Sequence, residues 1–386
     1  MDRLEPHRRT VIDSIVPIGS ERIALAGAGG RWLAAPALAI RAAPPYTCSA
    51  MDGYAVRHED VPGPVALPLR GTLYAGDAGG GVLRPGETAR IFTGAPLPAG
   101  ADAVVREEST EARGDSVAFR HPARAGENVR PAGEDVAAGA EALPAGIRLG
   151  PRALALLAAV GCTSVEVRRR PRVALVSTGD EIVRGRTPDS NGEALEGLLR
   201  AAGAEVVRAT AGDDPEALRA ALRQAAAGAD ALVTVGGVSV GEKDLVPGAV
   251  AALGAETLVH GVPMKPGKPF LYARLGALPV FGLPGSPSAC LVAFEVFARP
   301  ALLRLAGAAS VERPRAWLPL AEPCAGRPGR ARFLWAALEP DGRVRPVGRD
   351  AAQVRGPALA GALLRIGEGA GDVPEGERVE TWLLEA

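Results

Sequence analysis

The sequence predicts a multidomain α/β plus β protein, in which one mostly parallel, helix-flanked sheet is accompanied by two small β domains. Three observations lead there. From residue 172 to about residue 300, apolar strands alternate with helical segments, the pattern of a parallel sheet. Short apolar runs between Gly- and Pro-rich turns fill positions 42–135 and return after residue 313. A chain of 386 residues, at roughly 100–200 residues per domain, has room for several domains.

Each element has its own warrant. Residues 10–38 read as mixed helix, with Ile12, Ile15 and Val16 at helical spacing. Strand runs fall at 65–69, 89–92, 103–106 and 116–119. The stretch 151–160 is helical, with Pro151 in its first turn and Gly161 just past its end. A strand at 173–177 leads to a helix over 190–202, which Ser190 can cap and Gly203 ends. A second strand starts at Val206 and Val207. The next helix opens with Asp214 as N-cap and Pro215 at its first position, and runs through Leu218, Leu222 and Ala226 to Gly228. The run 231–235 is apolar throughout, as expected where both faces of a parallel sheet are covered. A further strand at 279–281 precedes a long helix from Pro287 that Pro300 kinks or ends.

Composition narrows the function classes. The 44 basic and 44 acidic residues cancel, which argues against wholesale nucleic-acid wrapping but not against a local anion site. The 49 Gly and 34 Pro stay below the ~25–30% of disordered low-complexity chains. Cys48, Cys162, Cys290 and Cys324 are scattered without a C-x-x-C pair, so reduced thiols in a cytoplasmic setting are expected rather than a zinc cluster or disulfides. The charged start MDRLEPHRRT is no secretory leader, and no run of about 18 apolar residues predicts a membrane span. His7, His58, His121 and His260 are isolated and are read as structural.

In open α/β sheets ligands bind beyond the carboxyl ends of the strands. There the sequence places Thr178-Gly179-Asp180-Glu181, then Gly212-Asp213-Asp214, then Gly236-Gly237-Val238-Ser239-Val240-Gly241-Glu242-Lys243-Asp244, then Gly282-Leu283-Pro284-Gly285-Ser286-Pro287. Glycines let backbone N–H groups approach a phosphate closely. With Asp214 spent as a cap, Asp213 is the ligand candidate. Glu181 and Asp244 are ordinary loop charges singly, but gathered on one edge they suit a divalent cation held through oxygen. Lys265 and Lys268 lie three apart in a Pro-stiffened loop, and two neighbouring ammonium groups call for an oxyanion between them. Acids and lysines are expected to form one cradle. In the β-rich region, Asp52, Thr93 and Asp135 occupy what physics alone reads as turn chemistry.

Taken together, these segments resemble the molybdopterin molybdenumtransferase family, MoeA and the E domain of gephyrin. The matching stretches are PPYTCSAMDGYAV (44–56), IFTGAPLPAGADAVV (91–105), GENVRPAGEDV (126–136), VALVSTGDEIV (173–183), DSNG (189–192), VTVGGVSVGEKDLV (233–246), MKPGKPF (264–270) and GLPGSPSA (282–289). The resemblance implies an elongated four-domain subunit: a discontinuous domain I (1–44 and 138–170), a β-rich domain II (45–137), an α/β domain III of the molybdopterin-binding type (171–310), and a C-terminal β-barrel domain IV (311–386). It further implies a cytoplasmic homodimer whose site lies between domain III of one subunit and domain II of the other, cofactor-handover proteins as further partners, and neither nucleic acid nor membrane.

The implied reaction is Mg²⁺-dependent insertion of molybdate into adenylyl-molybdopterin with release of AMP. Carried over by motif, Glu181 and Asp244 fall on metal and nucleotide carboxylates, Lys265 and Lys268 on oxyanion-binding lysines, and Asp52 on a catalytic position. Thr93, Asp135, Thr178, Gly179, Asp213, Gly236, Gly237, Ser239, Gly241, Pro284, Gly285, Ser286 and Arg330 fall on substrate-binding positions, with Arg332 as the alternative to Arg330. Two departures stand out. Ser286 replaces the family's usual Asn, and the stretch 350–366 lacks the Ser and Asn usual in domain IV. The alternatives are adenylylation of molybdopterin, which the β-rich region argues against, and a non-catalytic pterin-binding scaffold.

Overall fold

Continuous apolar runs place a six-stranded sheet at the centre of the chain. In the computed structural model, which describes residues 2–239, 241, 244–348 and 353–384, its order is Glu205–Ala211, Arg172–Thr178, Ala231–Val235, Leu278–Leu283, Leu271–Leu275, Glu256–His260. The first four strands are parallel and the last two antiparallel. Every residue of Ala231–Val235 is buried, because helices cover both faces. Ser190–Ala201 and Pro287–Ala293 pack on one face through Leu195, Leu199 and Cys290. Pro215–Ala226 and Val246–Ala252 pack on the other through Leu218, Leu222, Val246 and Val250. Of the segments read from sequence, Val240, Glu242, Lys243 and residues 350–352 lie outside the described residues.

The regions expected to be β-rich are so. One six-stranded sheet joins Ala103–Arg106, Gly53–Val56, Thr88–Ile91, Val65–Leu73, Ser116–Phe119 and Thr110–Arg113 in that order. In the C-terminal sheet, Ala331–Leu338, Ala362–Ile366, Arg378–Leu383 and Arg315–Pro319 follow the two-residue strand Met264–Lys265. That short strand departs from the α/β unit to pair in parallel with Ala331–Leu338. The two units also share a core, in which Phe281 and Phe297 meet Phe333, Trp335 and Trp382.

Some local expectations are corrected. Residues 10–38 are not mixed helix: the helix is Leu4–Asp13, and Pro17 and Gly19 separate it from the strand Ser20–Ala24, which pairs with Ser164–Arg168. That first helix buries Leu4 and Val11 in the α/β core. Ser190 does not cap its helix; Asp189 does, accepting from the Gly192 N–H at 2.9 Å. Asp214 caps as expected, accepting from the Ala217 N–H at 2.7 Å. The helix from Pro287 passes through a π turn at Phe294–Ala298 before Arg299–Leu305. Pro300 therefore sits in a first turn, where a missing N–H costs little. All four cysteines are buried and free. Among the described residues no helix is long and apolar enough to cross a membrane.

The link between the α/β unit and the C-terminal sheet is clamped by charge. Buried Glu295 accepts from Arg313 Nε and Nη2 at 3.0 and 3.1 Å, and Arg8 Nη2 meets both oxygens of Glu312 at 2.9 Å. The Arg8 guanidinium also lies 5.2 Å from the Trp382 ring centroid. Removing one partner of a buried pair strands the other charge, at about 3–5 kcal/mol. Glu295→Gln should therefore lower the urea midpoint of unfolding by a loss of that order, whereas Glu111→Gln, on an exposed pair, should leave it nearly unchanged.

Candidate active site

Four loops meet where the parallel strands end. They enclose a cavity of about 380 Å³ lined by Thr178, Gly179 and Glu181 from the first loop, Asp213 from the second, Gly236, Gly237 and Asp244 from the third, and Gly285 from the fourth. The convergence expected from the strand order is thus present. Ser239, Gly241, Pro284 and Ser286 lie in the same loops without lining the cavity.

Backbone chemistry holds these loops together. The Asp180 carboxylate accepts from the Asp213 N–H at 3.1 Å, tying the second loop to the first. Thr178 Oγ1 donates to the Val235 carbonyl at 3.0 Å. Gly236 beside it has φ +89°, and a Cβ there would stand 2.8 Å from Thr178 Oγ1, so any other residue is strained and crowded. Asp244 Oδ2 accepts from the Gly241 N–H at 2.8 Å and closes the third loop on itself. Asp214 caps its helix while Asp213 lines the cavity, the division of labour expected from sequence.

Sequence reading missed Ser177, Ile182, Asp189, Asn191 and Val235 on the cavity wall. The signal was the DSNG stretch, matched as a motif but given no role. Glu181, Asp213 and Asp244 share the cavity, yet among the described residues no three or more His, Cys, Asp or Glu side chains are arranged to hold an ion. An open set of carboxylates on a roomy cavity fits Mg²⁺, which takes one or two carboxylates and completes its shell with waters and substrate oxygens. The histidines serve elsewhere: His58 Nδ1 meets Asp102 Oδ2 at 2.5 Å, and His260 Nε2 meets the Val238 carbonyl at 3.1 Å.

The lysines do not line this cavity. Lys265 lies on the short strand that joins the C-terminal sheet, in register with Arg332, and the Ala331 N–H donates to the Pro263 carbonyl at 2.9 Å. The Lys268 carbonyl accepts from the Val262 N–H at 2.8 Å and closes the loop. Between the two arginines weighed from sequence, Arg332 is the one paired beside Lys265, while Arg330 sits exposed before the strand. Neither lysine of the expected single cradle therefore lines the acid-bearing cavity.

On the β-rich sheet, Asp52 and Thr93 form a unit. Asp52 Oδ1 accepts from the Thr93 N–H at 2.7 Å and from its hydroxyl at 2.6 Å. These bonds, the hydroxyl's foremost, hold the Asp52 carboxyl below its ordinary 3.8, and Arg90 adds to the effect. Gly53 follows because a Cβ would stand 2.1 Å from the Val105 carbonyl oxygen. Asp135 donates its N–H to the Ala43 carbonyl at 3.0 Å. None of the three lines the cavity of its own chain.

Fold and site together define a multidomain protein with a ligand cavity at the carboxyl edge of a parallel sheet, and known proteins share that design. Residues 3–161 match the family model described as the MoeA N-terminal region (domain I and II), 174–304 the probable molybdopterin binding domain, and 318–384 the MoeA C-terminal region (domain IV). A molybdopterin molybdenumtransferase of Nostoc sp. is 40% identical, covering 76% of this chain and 71% of its own. Molybdopterin molybdenumtransferase 2 of Mycobacterium tuberculosis is 37% identical with both chains fully covered, 100% of each. Crystal structures of a molybdopterin biosynthesis MoeA protein from Pyrococcus horikoshii align with TM-scores of 0.86 and 0.80, at 26% and 33% identity. They cover 99% of this chain and 100% and 99% of their own. The chain belongs to the molybdopterin molybdenumtransferase family, a family of transferases.

Two outcomes test the site's geometry. The stability contributed by the Asp52–Thr93 pairing is present above pH 3.8 and is lost as pH falls through the depressed value. Thr93→Val should move the Asp52 titration back up toward 3.8, read by carboxyl-carbon NMR. Gly236→Ala should cost roughly 1–3 kcal/mol of stability, from backbone strain at positive φ, and should weaken ligand binding in the cavity, both readable by thermal shift with and without AMP.

Proposed function

We propose that this chain inserts molybdate into adenylyl-molybdopterin, with Mg²⁺ required and AMP released, as a cytoplasmic homodimer. The observation that carries the reading is the convergence of Glu181, Asp213 and Asp244 with Thr178 and the glycines Gly236, Gly237 and Gly285 on one cavity, in a chain matched end to end by named molybdenumtransferases. A pyrophosphate entering an acid-lined cavity needs a cation, and Glu181 and Asp244 are the groups that would hold it. When bound, Mg²⁺ neutralises phosphate charge and makes the nucleotide a better leaving group.

The remaining work falls to the chain's own residues. The glycine backbone N–H groups position the phosphates, while Thr178, its hydroxyl proton given to the Val235 carbonyl, fixes the loop that carries them. Lys265 and Lys268, with Arg332 alongside on the paired strand, present the positive charge that receives the molybdate oxyanion. The dithiolene sulfurs of the pterin are the nucleophiles toward molybdenum, so no protein nucleophile is called on. Asp52, Thr93 and Asp135 act on the cavity of a second copy, which fits their position away from the cavity of their own chain. We read the division into four domains as 1–44 with 138–170, 45–137, 171–310 and 311–386, with the first helix packed onto the third.

The test is direct. Incubation of the purified protein with adenylyl-molybdopterin, MgCl₂ and molybdate should release AMP, and omission of either ion should suppress it. Asp244→Asn and Lys265→Ala should each lower the rate by roughly tenfold or more, the scale of removing one electrostatic contact to developing charge. AMP release no greater than that of the Lys265→Ala variant would overturn the assignment.

A further inference from the structure

Asn191 stands on the cavity wall as the second residue of the helix Ser190–Ala201. Its Nδ2 donates to the Gly285 carbonyl at 2.7 Å. A carbonyl only accepts, so this contact fixes which end of the amide faces Gly285 and leaves Oδ1 as an acceptor. The residue before it anchors the start of the helix. Asp189 Oδ2 accepts from Ser177 Oγ at 2.6 Å and from Arg208 Nη2 at 2.7 Å, while Oδ1 accepts from the Gly192 N–H at 2.9 Å. Arg208 is itself held by Glu193 and Glu196. The Asp189 carboxylate is thus spent on the start of the helix that carries Asn191, and the Asn191 amide, set by Gly285, presents an uncharged acceptor. The other side-chain acceptors on the wall include Glu181, Asp213 and Asp244, which favour a cation.

We propose that Asn191 determines ligand specificity: its Oδ1 accepts a hydrogen bond from the exocyclic amine of the ligand's heterocycle. This rests on the reading of the cavity as a pterin-nucleotide site. Two amines share the required chemistry, the 2-amino group of the pterin and the 6-amino group of adenine. An oxo group in place of either would set oxygen against oxygen, the kind of mismatch that a site built around a hydrogen bond rejects.

Calorimetric titration of the intact protein with AMP against IMP, and with 6-hydroxymethylpterin against 6-hydroxymethyllumazine, separates the two sources. The wild type should bind the amine member of one pair more tightly by roughly five- to tenfold. Asn191→Ala should bring that ratio to within about twofold by weakening the amine ligand alone. Asn191→Ser, too short to span to Gly285, should do the same and serves where the alanine variant fails to fold. Equal binding of both members in both pairs, no binding of any probe, or a preference that survives both substitutions would overturn the proposal. AMP release from the full reaction, measured on the same preparations, keeps the two readings apart. Turnover without Asn191-dependent preference sinks only this inference, and the preference without turnover sinks only the reaction.

Discussion

A parallel sheet sends every loop that follows a strand to the same edge, and the rest of this molecule depends on that constraint. The loops after Arg172–Thr178, Glu205–Ala211, Ala231–Val235 and Leu278–Leu283 are far apart in sequence, yet they line one cavity because their strands run in one direction. Topology only brings the loops near; short-range bonds set their positions. Asp180 to Asp213, Thr178 to Val235 and Asn191 to Gly285 each tie one loop to the next element, so the wall is a hydrogen-bonded ring rather than neighbouring turns.

Among the described residues, the charged side chains that line that cavity are all acidic. Glu181, Asp213 and Asp244 face a shared space, while Lys265 and Lys268 lie on a loop attached to the C-terminal sheet, with Arg332 on the strand paired to it. The zero net charge of the whole chain hides this separation. An acid-lined pocket repels an anionic ligand unless a cation stands between the two. The basic loop needs no such intermediary for an oxyanion. The described residues thus offer two electrostatic environments, an acid-lined cavity and a basic loop beside the C-terminal sheet.

Much of this was legible in the sequence, and the legible part has a common physical origin. Strands buried on both faces must be apolar, so Ala231–Val235 announced itself; helix starts must be capped, so Asp214 with Pro215 did too. What was illegible depended on long-range contacts. Asp189 rather than Ser190 caps its helix because Ser177 and Arg208 have already oriented its carboxylate. The bond of Asp52 to Thr93 spans two strands, and neither residue differs from ordinary turn chemistry until the strands pair. The lysine loop's attachment to the C-terminal sheet follows from a two-residue strand, too short to leave a pattern.

That short strand has a consequence for how the parts of the chain cooperate. Met264–Lys265 leaves the α/β unit to join Ala331–Leu338, and Trp335 on that strand donates its Nε1–H to Ser288 Oγ at 2.9 Å, in the helix that follows the fourth cavity loop. The C-terminal sheet therefore grips both the basic loop and the segment behind Gly285. Glu295, Arg313 and the Arg8–Glu312 pair fix the connection from the other side, and the shared core of Phe297, Phe333 and Trp382 fills the space between. The C-terminal sheet sets the position of the lysine loop, although it contributes no residue to the acidic cavity.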